Sequence, residues 1–190
     1  MNLDFGGQKH RRDLKGLWKI VDVSPNADVV HDLSSSKPLP FNDNSINNIY
    51  TSHTLEHVEP VHLAFILNEF YRILVVGGKC RIVVPDCLHA IKLYMKNPKE
   101  LANKKYCGKP DFMPATRMGY LTSWFHTNKQ NLHTGHKIGF DAELLRAFIG
   151  GTKFTKTDEM SYNNCSKAFR GKDYERYAKW GLYFEITKER

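Results

Sequence analysis

The sequence has few cysteines and no long apolar run. Its four cysteines, at positions 80, 87, 107 and 165, include no Cys-x-x-Cys pair. This spacing argues against a zinc knuckle and a dithiol redox site, and we expect reduced, half-buried thiols. No apolar stretch approaches the length of a membrane span, and no basic and apolar leader opens the chain. We therefore expect no membrane association and a cytoplasmic location.

The charge of the chain is strongly of one sign. Its formal net charge is +8 over 190 residues, which favours an anionic partner such as nucleic acid, a nucleotide or an acidic glycan. A merely solvated basic surface is the alternative. The length and the ordinary apolar content predict one domain over residues 1–190.

Strand and helix patterns alternate along the chain, which predicts a largely parallel sheet covered by helices. One helix begins at Pro60, carries an apolar stripe from Leu63 to Leu74 and is expected to end at Gly77-Gly78. A second helix begins after Asp141, with Leu144, Leu145, Phe148 and Ile149 expected to face inward. Strands are predicted up to Phe5 and over residues 18–23, 28–33, 46–52, 80–84, 152–157 and 181–188.

An irregular segment separates the two helices. Residues 94–136 combine Pro-containing breaks with lysines and with aromatic residues such as Trp124 and Phe125. So many aromatics need something to pack against, and we expect either a cap over one edge of the sheet or a surface insertion with its own small cluster.

Polar residues and glycines end the first three predicted strands. Gly6-Gly7 follow the first strand, Asp22 ends the second and Asp32 ends the third. Ligands of doubly wound sheets bind beyond the carboxyl ends of the strands, where Asp22 is placed to accept from ribose hydroxyls and Asp32 from an exocyclic amine. Each residue alone is more often a turn or cap residue, but together they predict a nucleoside site.

The chain resembles the class I S-adenosylmethionine-dependent methyltransferases, specifically the type 11 branch that acts on small molecules. The resemblance rests on LDFGGQ, KIVDVSPNADVVHDL, PLPFNDNSINNIYTSHTLEHVEP and NEFYRILVVGGKCRIVVPD, and the tail HKIGFDAELLRAFIGGTKF is also similar. It implies a Rossmann-like three-layer α/β sandwich with a mostly parallel seven-stranded sheet and an antiparallel last strand. It also implies S-adenosylmethionine as cofactor, with S-adenosylhomocysteine as product.

The resemblance carries cofactor roles to particular positions. The first turn lies beside the methionine part, the second strand's acid holds the ribose, the next pair lies beside the adenine, and the end of the fourth strand faces the sulfonium. The implied cofactor-binding residues are Asp4, Gly6, Gly7, Asp22, Val23, Asp32, Leu33, Thr51, Ser52 and His53. Gln8 departs from the family, which has glycine there; its bulk could crowd the methionine end, or its amide could bind the carboxylate.

Methyl transfer from a sulfonium needs alignment of the acceptor, and a base only where the acceptor must lose a proton. The candidate bases are the histidines near the fourth strand and the cap, with His53, His57 and His136 first and His126 and His133 also considered. We expect no metal ion, because His53 precedes the helix that would align it with His57.

Lysines of the cap, at positions 96, 99, 104, 105 and 109, favour an anionic small-molecule or glycan acceptor. Two other functions stay open at this point: a methyltransferase-like domain that has lost catalysis and binds a partner or nucleic acid, and a nicotinamide dinucleotide site. The missing third glycine argues against the dinucleotide.

Overall fold

A seven-stranded sheet forms the centre of the molecule. The computed structural model describes residues 1–7, 17–102, 115–126 and 135–190. Its strands are β1 (Asn2–Phe5), β2 (Trp18–Asp22), β3 (Val29–Val30), β4 (Ile46–Ser52), β5 (Leu74–Pro85), β6 (Lys156–Met160) and β7 (Gly181–Thr187). They lie in the order β3-β2-β1-β4-β5-β7-β6. The first five are parallel and β7 runs antiparallel to both of its neighbours. The predicted Rossmann-like sheet with an antiparallel last strand is therefore confirmed.

Five α-helices surround the sheet in the described part of the chain. They are α1 (Pro60–Ile73), α2 (Cys87–Lys96), α3 (Pro98–Leu101), α4 (Arg117–Phe125) and α5 (Ala142–Gly150). Among the described residues, no helix has the length and apolar character needed to cross a membrane.

The main core lies between one face of the sheet and the helices α1 and α5. Leu63, Ile66 and Phe70 of α1 are buried against strand residues such as Phe5 and Ile82. Full burial of each such side chain contributes about 1.5–3 kcal/mol. Pro60 occupies the first turn of α1 and the Asp141 side chain caps α5 by accepting from Leu144 N at 2.8 Å, both as predicted.

The opposite face of the sheet is covered by residues 161–180, which we call the cover segment. Phe169 of this segment packs against Trp18, Tyr50 and Tyr183. Below it lies the fully buried Arg81, whose ionic and polar partners come from the cover segment and from β7. Its guanidinium donates to Asp173 Oδ1 at 2.9 Å, Glu185 Oε1 at 3.1 Å and Ser161 O at 3.0 Å. The cover segment, which is mostly irregular in structure, thus forms the outer layer on this face of the sheet.

The predicted end of the first helix is wrong. Helix α1 ends at Ile73, and the backbone of Leu74 is already extended. Strand β5 then runs through Gly77-Gly78, where its register with β4 shifts. Gly77 has a φ of +79°, so the glycines make an irregularity inside a long strand instead of stopping a helix.

Three smaller predictions also need correction. Strand β3 is limited to Val29–Val30 because Asp32 caps a short turn. Thr152 continues the turn after α5, donating its N–H to Ile149 O at 3.0 Å, and β6 therefore begins only at Lys156. Leu144 was expected to face inward, but it is exposed at the start of α5.

Candidate active site

The turn after β1 is held against two neighbouring loops. Gly6 has a φ of +72°, in the left-handed region that favours glycine. A Cβ at this position would lie 2.0 Å from Thr54 Oγ1, and that hydroxyl donates to Phe5 O at 3.0 Å. Gly6 N donates to Val21 O at 2.9 Å. The glycine is therefore required by the turn and by Thr54; Gln8 lies outside the described residues.

A buried ion pair lies beneath this turn. Lys172 Nζ donates to Asp4 Oδ2 at 2.6 Å, and it also lies 4.5 Å from the centroid of the Trp18 ring. A Cβ on Gly7 would approach Asp4 Cγ to 2.8 Å. The cover segment thus neutralises Asp4 at the base of the turn. The sequence analysis missed Lys172, because no local pattern links two residues 168 positions apart.

Two carboxylates end the next strands side by side. Asp22 Oδ1 accepts from Ser24 N and Asp32 Oδ1 accepts from Ser34 N, both at 2.8 Å. The strand ends are adjacent because His31 N donates to Asp22 O at 3.0 Å. A carboxylate offers about four lone-pair sites, so each acid can accept further hydrogen bonds. This pair of acceptors suits ribose hydroxyls and an exocyclic amine.

The neighbours of these acids differ in burial. Val23 is exposed beside Asp22, whereas Leu33 is buried and joins the main core. Leu33 therefore supplies an apolar surface that is fixed in place.

The fourth strand leads to an imidazole whose side chain is 12% exposed. Thr51 and Ser52 are buried inside the sheet, and His53 leaves it with a φ of +55°. The His53 ring stacks on Tyr177, with a centroid distance of 3.7 Å, and Trp180 meets it edge-on at 5.1 Å. Two aromatic residues of the cover segment, which the sequence analysis did not single out, therefore fix this ring.

A buried carboxylate lies beside His53. A short 3-10 turn over Leu55–His57 directs Glu56 inward, where it is 1% exposed. His53 Nδ1 lies 3.3 Å and His57 Nε2 3.9 Å from Glu56 Oε1. Burial raises the pKa of Glu56, but His53, then His57 and His136, more than offset it and lower the pKa to about 2. The carboxylate is ionised at neutral pH.

His136 completes the cluster from the beginning of the described stretch 135–190. Its Nδ1 donates to Trp124 O at 3.0 Å, and His57 Nδ1 donates to Gly135 O at 3.0 Å. The two rings meet with a centroid distance of 5.0 Å. Burial lowers the pKa of His136, which keeps this imidazole neutral.

The structure thus brings together the three histidines first named as candidate bases. It adds Glu56, which the sequence analysis did not name as a site residue. The pattern His-x-x-Glu-His over residues 53–57 could have indicated this carboxylate, because the short turn brings its two ends around Glu56.

The helices that follow β5 build a wall next to the histidines. The residues of this second apolar cluster come from α2, α3, α4 and the cover segment: Cys87, Ala90, Leu101, Trp124, Tyr177 and Trp180. Lys96 and Lys99 are exposed on α2 and α3, and His126 is exposed after α4. Lys104, Lys105, Lys109, Cys107 and His133 lie outside the described residues.

The fold is shared by S-adenosylmethionine-dependent methyltransferases of known structure. Solved structures with the same fold include a methyltransferase of *Thermotoga maritima* described as a possible histamine N-methyltransferase. It is 15% identical over 98% of this chain and 81% of its own, with a TM-score of 0.57. An *Archaeoglobus fulgidus* S-adenosylmethionine-dependent methyltransferase is 14% identical over 98% and 85%, with a TM-score of 0.54.

A longer chain with a similar structure is the methyltransferase domain of citrinin polyketide synthase. It is 10% identical with a TM-score of 0.56, and the match covers all of this chain but 46% of that one. A complex from *Haloferax volcanii* between the Trm112 methyltransferase activator and a methyltransferase is also similar, at 16% identity, with coverage of 100% and 82% and a TM-score of 0.54.

The methyltransferase domain family of type 11 matches residues 17–82. This match runs from β2 into β5, over the strand ends with Asp22, Asp32 and His53. None of the curated proteins matches the sequence. Residues 17–82 thus match the type 11 methyltransferase domain, and the fold is the one found in S-adenosylmethionine-dependent methyltransferases.

Proposed function

We propose that this protein transfers a methyl group from S-adenosylmethionine to an anionic small-molecule or glycan acceptor at the carboxyl edge of its sheet. The observation that carries the proposal is the arrangement of Asp22 and Asp32 at adjacent strand ends, with the Gly6 turn hydrogen-bonded to β2. His53 and its buried partners follow along the same edge.

The cofactor would be held by residues from the first four strands. Asp22 accepts from the ribose hydroxyls, with Val23 beside it, and Asp32 accepts from the adenine amine, with Leu33 as the apolar neighbour. The methionine part lies along the turn of Gly6-Gly7, below which Asp4 is fixed by its ion pair. Thr51, Ser52 and His53 face the sulfonium from the end of β4.

The bound cofactor supplies a methyl group that is already activated as part of a sulfonium. The protein has to hold the acceptor in line with it and exclude water. His53 is the base that the geometry favours, because its Nδ1 faces the Glu56 carboxylate at 3.3 Å. A neutral ring that donates from Nδ1 keeps Nε2 as the proton acceptor, and the carboxylate stabilises the imidazolium that forms.

The acceptor would bind under the cap, for which we propose residues 94–136. Lys96 and Lys99 are exposed on this part of the chain, and Tyr177 and Trp180 line the adjacent wall. Lysine charge and aromatic surface suit an acidic sugar or a phosphate ester. The cytoplasmic location that the sequence predicts stays a prediction.

Calorimetric titration with S-adenosylhomocysteine tests the cofactor site, because the product binds without reacting. We expect micromolar binding by the wild type. The Asp22→Ala variant should bind at least about tenfold more weakly, because hydrogen bonds to a charged group contribute about 1.5–3 kcal/mol each. Glu143→Gln, a change on the exposed start of α5, is the control and should bind like the wild type.

The outcome separates the proposal from its alternative. A folded wild-type chain that does not bind S-adenosylhomocysteine would contradict the proposal. If that chain instead bound nucleic acid with an affinity that falls steeply with salt, the methyltransferase-like binding domain would replace it. Charge reversal at Lys96 and Lys99 should weaken methylation of acidic sugars and leave S-adenosylhomocysteine binding unchanged; equal loss of both would contradict the anionic acceptor.

A further inference from the structure

The contact with His53 does not satisfy the hydrogen-bonding capacity of the buried Glu56 carboxylate. Both of its oxygens are buried, Oε1 has only a long contact from His53 Nδ1 at 3.3 Å, and Oε2 accepts no hydrogen bond among the described residues. A buried ionised carboxylate is costly unless it is paired and hydrogen-bonded or coordinates a metal. The distances from Oε1 to His53 Nδ1 and His57 Nε2, 3.3 and 3.9 Å, are longer than a hydrogen bond of good geometry.

Two imidazoles present lone pairs beside this carboxylate. His57 and His136 each use Nδ1 to donate to a backbone carbonyl, Gly135 O and Trp124 O respectively, at 3.0 Å. A neutral imidazole that donates from Nδ1 carries its lone pair on Nε2. Metal-binding histidines are oriented in this way, with one ring nitrogen donating to a carbonyl or carboxylate and the other facing the ion.

The three side chains also lie close enough to share one ion. One ligand atom from each of Glu56, His57 and His136 lies within 4.8 Å of the others. Zinc bonds to nitrogen and oxygen are about 2.0–2.2 Å long, so the side chains would draw in by roughly 1 Å around the ion. They come from the loop after β4 and from the segment that follows α4, and Lys137 N fixes the two together by donating to Glu56 O at 2.7 Å.

We propose that Glu56, His57 and His136 form a binding site for a divalent first-row transition ion, Zn²⁺ or Mn²⁺. Two imidazoles and one carboxylate suit these ions better than Mg²⁺, which prefers oxygen ligands alone. This proposal differs from the sequence-based prediction of no metal ion. It also changes the role of His57 and His136 from candidate bases to ligands.

Three protein ligands leave at least one position open on the ion. That position can take an oxygen of the acceptor, which would orient the acceptor beside His53. Only this use of the ion rests on the proposed function; binding of the ion does not.

The test is calorimetry and metal analysis on the full chain after removal of metal with a chelator, titrated separately with Zn²⁺, Mn²⁺, Co²⁺ and Mg²⁺. We expect one Zn²⁺ or Mn²⁺ per chain. Loss of a ligand in Glu56→Gln or His136→Asn should lower the affinity by more than about 100-fold, since even outer partners of a metal site are worth 10–100-fold. His62→Asn is the control, because His62 lies on α1 and contacts Ser36.

Two further measurements keep the test decisive if a variant folds poorly. Bound Co²⁺ should give the visible spectrum of nitrogen and oxygen ligation in the wild type, and a transition ion should raise the melting temperature of the wild type. The proposal would be overturned if folded Glu56→Gln bound the ion as tightly as the wild type. It would also be overturned if His62→Asn lost as much affinity as the ligand variants, or if the protein bound only Mg²⁺. Titration with S-adenosylhomocysteine in the same samples tests the proposed function separately.

Discussion

Replacing Arg81 with methionine should destabilise the protein severely. Arg81, Asp173 and Glu185 have fully buried side chains, and Arg81 supplies the positive charge between the two acids. Methionine leaves both carboxylates buried without that charge. Removing one partner of a buried ion pair typically costs about 3–5 kcal/mol. We expect a cost in this range, because Asp173 loses its ion pair with Arg81 while Glu185 keeps Lys79 Nζ at 3.9 Å. A domain of ordinary stability, about 5–15 kcal/mol, would lose a substantial part of it.

Urea unfolding followed by tryptophan fluorescence measures this loss, with Trp18 and Trp180 as buried reporters. Arg81→Lys is the matched control: it keeps the charge but cannot form the paired contact with Asp173, so it should lie between the wild type and Arg81→Met. The double variant Arg81→Met with Asp173→Asn should cost less than the sum of its two single variants. A free energy of unfolding for Arg81→Met within about 1 kcal/mol of the wild type would refute the reasoning.

Two further predictions concern the backbone and the pH dependence of stability. Gly77→Ala should cost about 1–2 kcal/mol from its left-handed φ alone, because no atom lies within 4 Å of the new Cβ. Gly6→Ala adds a clash with Thr54 and should cost clearly more in urea unfolding; equal costs would contradict the contact. Burial raises the pKa of Cys87 from 9.0 to about 12. The stability that this shift contributes is therefore complete below pH 9 and is lost as the pH rises towards 12. Between pH 7.5 and pH 10.5, under reducing conditions, the free energy of unfolding of the wild type should fall by about 2 kcal/mol more than that of Cys87→Ala. An equal fall in the two proteins would contradict the raised pKa.

The parts of the fold that the sequence predicted are those with local patterns. The stripe from Leu63 to Phe70 repeats at helical spacing, and the alternation in β7 places Phe184 and Ile186 on the core face. The fourth strand and its polar end were also predicted, because the strand pattern of residues 46–52, which ends just before His53, can be recognised from the sequence alone.

The missed features depend on distant contacts. Gly77-Gly78 look like a helix end, yet β4 pairs with Leu74 and Lys79 on either side of them. Lys188, directly after β7, also exchanges backbone hydrogen bonds with both glycines, which holds the stretch in a strand. Lys172, Tyr177 and Trp180 belong to no repeating pattern and gain their roles only when the cover segment folds back over the sheet. For the candidate site, strand ends were predictable one at a time, while the contact between His136 and His57 required the folded chain.

The cover segment also has a consequence for how the protein is made. When a ribosome has produced β1 to β5, one face of those strands still lacks Lys172 and Asp173, the ionic partners of Asp4 and Arg81. Strand β7, which pairs with β5 and β6, is synthesised later still. Domains usually fold as units as they emerge, but this sheet cannot bury its charged interior until the last part of the described chain has left the ribosome. Folding of this domain is therefore a step that follows its synthesis.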